Sequence, residues 1–182
     1  AGRRYIDGIV APTLSPIPGL LNISMTSVVS LFVPCIVDQV MPEIGVDLVR
    51  LLRHLGYRVA YPAGHTCCGQ PAFNAGHRRQ AIGLACHCVD AFRGAETIVC
   101  PSGSCTSMVT QHYRELFAGH PREAEALELG TRVCEFVQFI EREGRVADLR
   151  GTYAGKVGIH ASCHAYRELG MRDQPQQLLA GI

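Results

Sequence analysis

An α/β fold, a parallel sheet with crossover helices, is predicted by three features of the sequence. Short β-branched, apolar runs alternate with segments whose apolar residues recur at helical spacing. The runs end in loops containing Gly, Pro or Ser, as strand-to-helix turns do. Three of these loops carry cysteines: Cys35, the adjacent pair Cys67 and Cys68, and Cys105. Repeated strand–helix–strand order implies right-handed crossovers, and in such sheets ligands bind beyond the carboxyl ends of the strands.

Residues 27–33 (SVVSLFV) are β-branched and apolar and stop at Pro34-Cys35, which predicts a buried strand. Residues 43–55 set Ile44, Leu48, Leu51, Leu52 and Leu55 at helical spacing, with Gly56 as the C-cap. Residues 57–61 form a second short strand, followed by the loop His65-Thr66-Cys67-Cys68-Gly69-Gln70-Pro71. A helix is expected over residues 74–92 and a third strand over 97–99. The tight loop Cys100-Pro101-Ser102-Gly103-Ser104-Cys105 then opens a helix that runs to about Phe117. Residues 122–144 are helix-rich with a break near Gly130, and residues 156–160 (KVGIH) form a further strand just before Cys163.

The chain has 182 residues, 47% hydrophobic and 18% charged, which suits a folded domain and argues against global disorder. A formal charge of +1 gives no electrostatic case for nucleic acid, and no apolar run reaches a bilayer-spanning length of about twenty residues. Arg3 and Arg4 precede an apolar stretch loosely like a secretion signal, but Asp7, Pro12, Pro16 and Pro18 interrupt it. Met25 would make a natural start, so residues 1–24 are read as a poorly ordered extension. Residues 25–150 form the main domain. Residues 28–35 resemble 156–163, so residues 151–182 read as the beginning of a second, truncated unit. Its own Cys-Cys pair would fall at about position 195, past Ile182.

Nine cysteines is an odd count in a chain too large to depend on disulfides, which favours a reducing compartment with metal or redox chemistry. Side chains of adjacent residues diverge on a helix or strand, so Cys67 and Cys68 can ligate together only from a loop. Thiolates at Cys35, Cys67, Cys68 and Cys105 would be soft ligands for zinc or an iron–sulfur cluster. Structural zinc sites usually draw on short Cys-x-x-Cys knuckles, which favours the cluster. The helix N-terminus at Cys105 would favour negative charge, and the Gly69 and Gly103 loops would either donate to cluster sulfurs or serve backbone geometry alone.

Cys100 is a strand-end core residue or an additional ligand. Cys86 and Cys88 point to different helix faces and read as core, as does Cys134; Cys163 reads as a free thiol. His65 is a solvated loop residue or one that tunes the cluster, and His160 and His164 flank Cys163 as would ligands of a second site. His77, His87, His112 and His120 suggest only helix surfaces; Arg78 and Arg79 read as a solvated helix face or a contact for an acidic partner or a carboxylate substrate. No Ser-His-Asp arrangement, P-loop or Gly-x-Gly-x-x-Gly fingerprint is evident, so no motif for a flavin or nicotinamide is present.

FVPC at 32–35, CCGQP at 67–71, PSGSC at 101–105 and HASC at 160–163 together resemble the cysteine-rich CCG domain. That Rossmann-like domain occurs in the cysteine-rich component of heterodisulfide reductase, the iron–sulfur component of glycolate oxidase and the lactate-utilisation A group, and the last is the best match over residues 25–182. The resemblance implies a cytoplasmic iron–sulfur protein, with a cluster expected to be 4Fe-4S, that carries electrons within a multi-protein L-lactate or glycolate oxidation system. It implies an oxidoreductase component and not a self-sufficient enzyme, with the other subunits of that system as partners. The alternatives it leaves are a thiol–disulfide redox enzyme like the reductase and a structural zinc module. In the reductase, five cysteines per unit hold a non-cubane cluster. Here Ser102 stands at the penultimate ligand position, which leaves a four-cysteine cluster with Cys100 as a substitute fifth ligand.

Overall fold

The computed structural model describes residues 3–5, 27–149 and 151–181. Among the described residues five strands form one sheet: β1 (Arg3–Tyr5), β2 (Val28–Leu31), β3 (Arg58–Pro62), β4 (Ile98–Cys100) and β5 (Val133–Glu135). Their spatial order is β1-β3-β2-β4-β5. The last four are mutually parallel, and β1 adds antiparallel along β3 at the edge. The expected parallel sheet with crossover helices is therefore the fold. The extension read over residues 1–24 lies outside the described residues except for β1.

Helix α1 (Cys35–Val40) follows β2 directly, and α2 (Pro42–His54) completes the crossover to β3. Pro42 sits where an amide hydrogen has no helical partner, and Gly56 ends the helix at φ 88°. Leu48, Val49 and Leu52 turn inward, while Ile44, expected on the apolar face, is exposed. After β3, α3 (Gln70–Asn74) and α4 (Arg78–Ala91) lead to β4. The single helix expected over 74–92 is thus two, because Gly76 takes a left-handed φ of 77° between them.

Beyond β4 lies one continuous helical rod: α5 (Gly103–Ser107), a π-turn (Met108–His112) and α6 (Tyr113–Leu116). Helix α7 (Glu123–Arg132) precedes β5, and α8 (Phe136–Arg142) follows it. The break expected at Gly130 does not occur there: α7 runs through it, and a strand interrupts the helices at Val133–Glu135. Gly130 serves packing instead. A Cβ there would stand 3.1 Å from the Val109 carbonyl oxygen, so its absence lets α7 lie close on the π-turn.

Strands β2 to β5 are largely buried on both faces, which explains their continuous apolar character. Phe32, Ile98, Ala85, Phe92, Met108, Tyr113 and Leu129 fill the layer under α4–α7. Val29, Leu31, Val59 and Val99 pack with Leu52, Leu55, Phe139 and Ile140 on the other side. Each such fully buried large side chain contributes about 1.5–3 kcal/mol.

The strand expected at residues 156–160 is absent. Residues 152–162 carry no regular structure apart from a bend, and Val157 and Ile159 are exposed. The apolar alternation is real, but a strand needs a neighbouring edge to pair with, and none of the described strands lies against it. A short π-turn (His164–Glu168) and α9 (Gln174–Leu179) follow. The π-turn segment lies against α5: Gly103 packs on Ala165, and Glu168 accepts hydrogen bonds from Ser107 Oγ and from His112 Nε2, the latter at 2.9 Å.

Candidate cysteine-thiolate site

Parallel strands deliver their following residues to the same edge of the sheet, and the cysteines arrive there from three of them. Cys35 is the first residue of α1 after β2, Cys67 and Cys68 lie in the loop after β3, Cys100 ends β4, and Cys105 sits in the first turn of α5. Cys35 Sγ lies 3.6 Å from Cys67 Sγ. Cys67 and Cys68, Cys68 and Cys105, and Cys105 and Cys100 lie near enough to shift one another's ionisation. Five sulfurs from three loops thus form one connected chain. The four cysteines expected to converge do so, and Cys100 joins them.

The thiol pKa values are pushed in alternating directions along this run. Cys105 is held down to about 3, first by hydrogen bonds from Cys100 and Cys68 and then by those from Ser102 and Ser104. Cys67 is held down to about 6, chiefly by Cys68, with the Gly69 amide and Cys35 adding to it. Cys68 is driven up by donating to Cys105 and Cys67; Cys100 is driven up by full burial and by Cys105. Burial, and then Cys67, raises Cys35. The protein's own groups therefore support thiolates at Cys67 and Cys105, and the remaining three sulfurs stay protonated. Ionising all five requires added positive charge.

The loops are pinned from behind. Gly69 adopts φ 88°, and a Cβ there would stand 2.9 Å from the Ala81 carbonyl oxygen. Its N–H donates to Cys67 Sγ at 3.4 Å. Ser102, at the position where the reductase carries a cysteine, caps α5 by accepting from the Cys105 amide at 3.4 Å, and its Oγ lies 3.2 Å from Ser104 Oγ.

His65 is not the solvated loop residue that one sequence reading allowed. It is buried among Phe32, Phe92 and Tyr61, with ring centroids 4.3, 4.9 and 6.5 Å away. Its Nε2 donates to the Val33 carbonyl at 2.9 Å, tying the vicinal-cysteine loop to the turn before Cys35. Burial lowers its pKa to about 4, so the ring is neutral at pH 7.

Sequence reasoning missed other supports. His87, read as a helix-surface residue, hydrogen-bonds the Gly64 carbonyl at 2.5 Å and holds the same loop from α4. Gln70 Nε2 donates to the Ser104 carbonyl at 3.1 Å and lies 3.2 Å from His164 Nε2, bridging two cysteine loops to the C-terminal segment. Arg78 donates to the Glu115 and Leu116 carbonyls at the end of α6 and pairs with the Glu115 carboxylate at 3.5 Å. No sequence signal marks these contacts, because each joins residues more than twenty positions apart.

Other cysteines stand apart. Cys88 is buried in the core, Cys86 is partly buried on α4, and Cys134 lies in β5, where burial pushes it up to about 11. Cys163 is exposed before the second π-turn. Among the described residues, no three His, Cys, Asp or Glu side chains converge on a single point suited to one metal ion. The described helices include none long and apolar enough to cross a membrane.

Residues 29–110 match the family model described as CCG, cysteine-rich domain. Over 155 residues the chain is 40% identical to lactate utilization protein A of Oceanobacillus iheyensis, covering 85% of this chain and 63% of that protein. It is 41% identical over 155 residues to lactate utilization protein A of Geobacillus kaustophilus, covering 85% and 64%, and 39% identical over 153 residues to lactate utilization protein A 1 of Bacillus mycoides, covering 83% and 62%. The chain thus spans less than two thirds of the length of these curated relatives. No solved structure matches it significantly. The matched stretch contains all five of these cysteines, so the likeness to the cysteine-rich CCG domain and to the lactate utilization A proteins falls on the site itself.

Proposed function

We propose that Cys35, Cys67, Cys68 and Cys105, with Cys100 beside them, hold an iron–sulfur cluster, and that the chain carries electrons in a lactate-oxidising system. The observation that supports this most is the connected run of five thiols drawn from three strand-end loops. Thiolates are soft donors suited to iron–sulfur clusters, and such a cluster, when bound, accepts and releases single electrons.

A cluster is favoured over mononuclear zinc by the spread of the donors. Zinc demands that four ligands meet at one point, whereas a cluster asks each thiolate to reach a different iron. The donors here come from three separate strand-end loops and not from paired Cys-x-x-Cys knuckles. The residues' own contribution is to hold negative charge in place: the Gly69 N–H donates to Cys67, and Ser102 and Ser104 stabilise Cys105. The neutral ring of His65 packs against Phe32 and Phe92 behind the loop.

L-lactate is the substrate of the system on the strength of the relatives' names, with glycolate the neighbouring choice. Its two electrons leave in forming pyruvate at a partner protein's site and pass onward one at a time. Cytoplasmic localisation and partnership with the other members of that system belong to the same reading. The test is anaerobic reconstitution with iron and sulfide. The expected product has a broad visible absorption that bleaches on reduction and returns on oxidation; a colourless protein with no labile sulfide contradicts it.

A further inference from the structure

The peptide unit between Cys68 and Gly69 has a defined task, since its N–H donates to Cys67 Sγ at 3.4 Å. Its other end is gripped too: Tyr113 Oη–H donates to the Cys68 carbonyl at 2.9 Å, with the tyrosine fully buried. In a trans peptide the carbonyl and N–H point in opposite directions, and the described residues contain no cis bond. Fixing the oxygen on Tyr113 therefore aims the N–H away from it, at the sulfur.

The helix that carries Tyr113 is built for this placement. Tyr113 follows Cys105 by eight positions. At about 100° per residue, a plain α-helix would set the two about 80° apart around the axis. The π-turn at Met108–His112 adds one residue to a turn, with the Tyr113 amide donating to the Met108 carbonyl. That brings Tyr113 back to within roughly 20° of the Cys105 direction. One helix thus presents a thiol from its first turn and a hydroxyl two turns later to the same region, where Cys68 lies.

We propose that Tyr113 is the positioning residue of the cysteine site, locking the Cys68–Gly69 peptide in the one orientation that donates to Cys67 Sγ. Its consequence for electron transfer rests on the cluster reading above; its consequence for the loop does not. A free peptide could rotate its oxygen toward the sulfur, and losing a donated hydrogen bond lowers the potential of a sulfur-ligated cluster.

The test is Tyr113→Phe, which keeps the ring and removes the hydroxyl. In metal-free, reduced protein the Gly69 amide should exchange with solvent about fivefold to tenfold faster than in the wild type. Core amides of β2 and β4 should keep their rates. In reconstituted protein, the midpoint potential should become more negative. Unchanged Gly69 exchange in a folded variant overturns the proposal, whether or not iron is bound. If the protein takes up no cluster but Gly69 exchange rises, the positioning role stands and the cluster reading falls. The wild type supplies the same test if the variant does not fold: the Tyr113 hydroxyl proton should give a resolved, slowly exchanging NMR signal. Rapid exchange of that proton with water also overturns the proposal.

Discussion

Gly69→Ala tests whether the loop carrying the vicinal cysteines has only one way to fold. Gly69 holds φ 88°, a region that costs an L-residue about 1–2 kcal/mol. In addition, the new Cβ would stand 2.9 Å from the Ala81 carbonyl oxygen, backbone of a packed helix that cannot swing aside. Overpacking of that kind adds about 1–3 kcal/mol. The total is about 3 kcal/mol, a large part of the stability of a small domain. Gly76→Ala is the matched control: its φ is 77°, but its Cβ would meet nothing within 4 Å, so it carries only the conformational cost. Urea unfolding of the reduced, metal-free proteins, with m-values compared, measures both. Gly69→Ala should be the less stable by at least about 1 kcal/mol. Equal losses from the two substitutions would refute the claim that the loop is pressed against α4.

Glu135 gives a pH dependence. Burial raises its carboxyl to about 7, against the hydrogen bond its Oε2 accepts from the Val137 amide at 2.6 Å. The folded state then binds the proton more tightly than the unfolded one, so stability is full below about pH 4.5 and falls by about 3 kcal/mol as pH rises to about 7. Glu135→Gln should flatten that slope in pH-dependent denaturation, and a slope as steep as the wild type's contradicts the assignment. Glu168→Gln should loosen the C-terminal segment, because its carboxylate accepts from both Ser107 and His112. Amide exchange at Tyr166 and Leu169 should accelerate several-fold with less than about 1.5 kcal/mol of global loss; unchanged exchange would count against the clamp. Arg122→Ala, which breaks ion pairs to exposed Asp90 and Glu125, should cost no more than about 1 kcal/mol by thermal unfolding.

The sheet was legible because strands buried on both faces read as continuous apolar runs, and the loops after them announce themselves with Gly, Pro and Cys. The site was legible for the same reason: parallel topology sends Cys35, Cys67, Cys68 and Cys105 to one edge once their strands are located. β5 was not, because Val133-Cys134-Glu135 is three residues long, contains a carboxylate and lies between two helices. The KVGIH segment misled in the opposite direction, since its local pattern fits a strand while pairing depends on a neighbour that none of the described strands provides. Tyr113, His65 and His87 escaped because their roles depend on where a π-turn, an aromatic cage and a helix face bring them. Periodicity carries no trace of such contacts.

The proposed cluster is held by Cys35, Cys67, Cys68 and Cys105, with Cys100 beside them. Iron and acid-labile sulfide counts, with EPR of the reduced protein, test it on anaerobically reconstituted wild type, Cys105→Ala and Cys86→Ser. The wild type should contain about four iron and four sulfide per chain and give a single cluster signal. Cys105→Ala should lose most of both, and Cys86→Ser should match the wild type. One zinc per chain without sulfide, or a cluster that survives Cys105→Ala unchanged, would contradict the account.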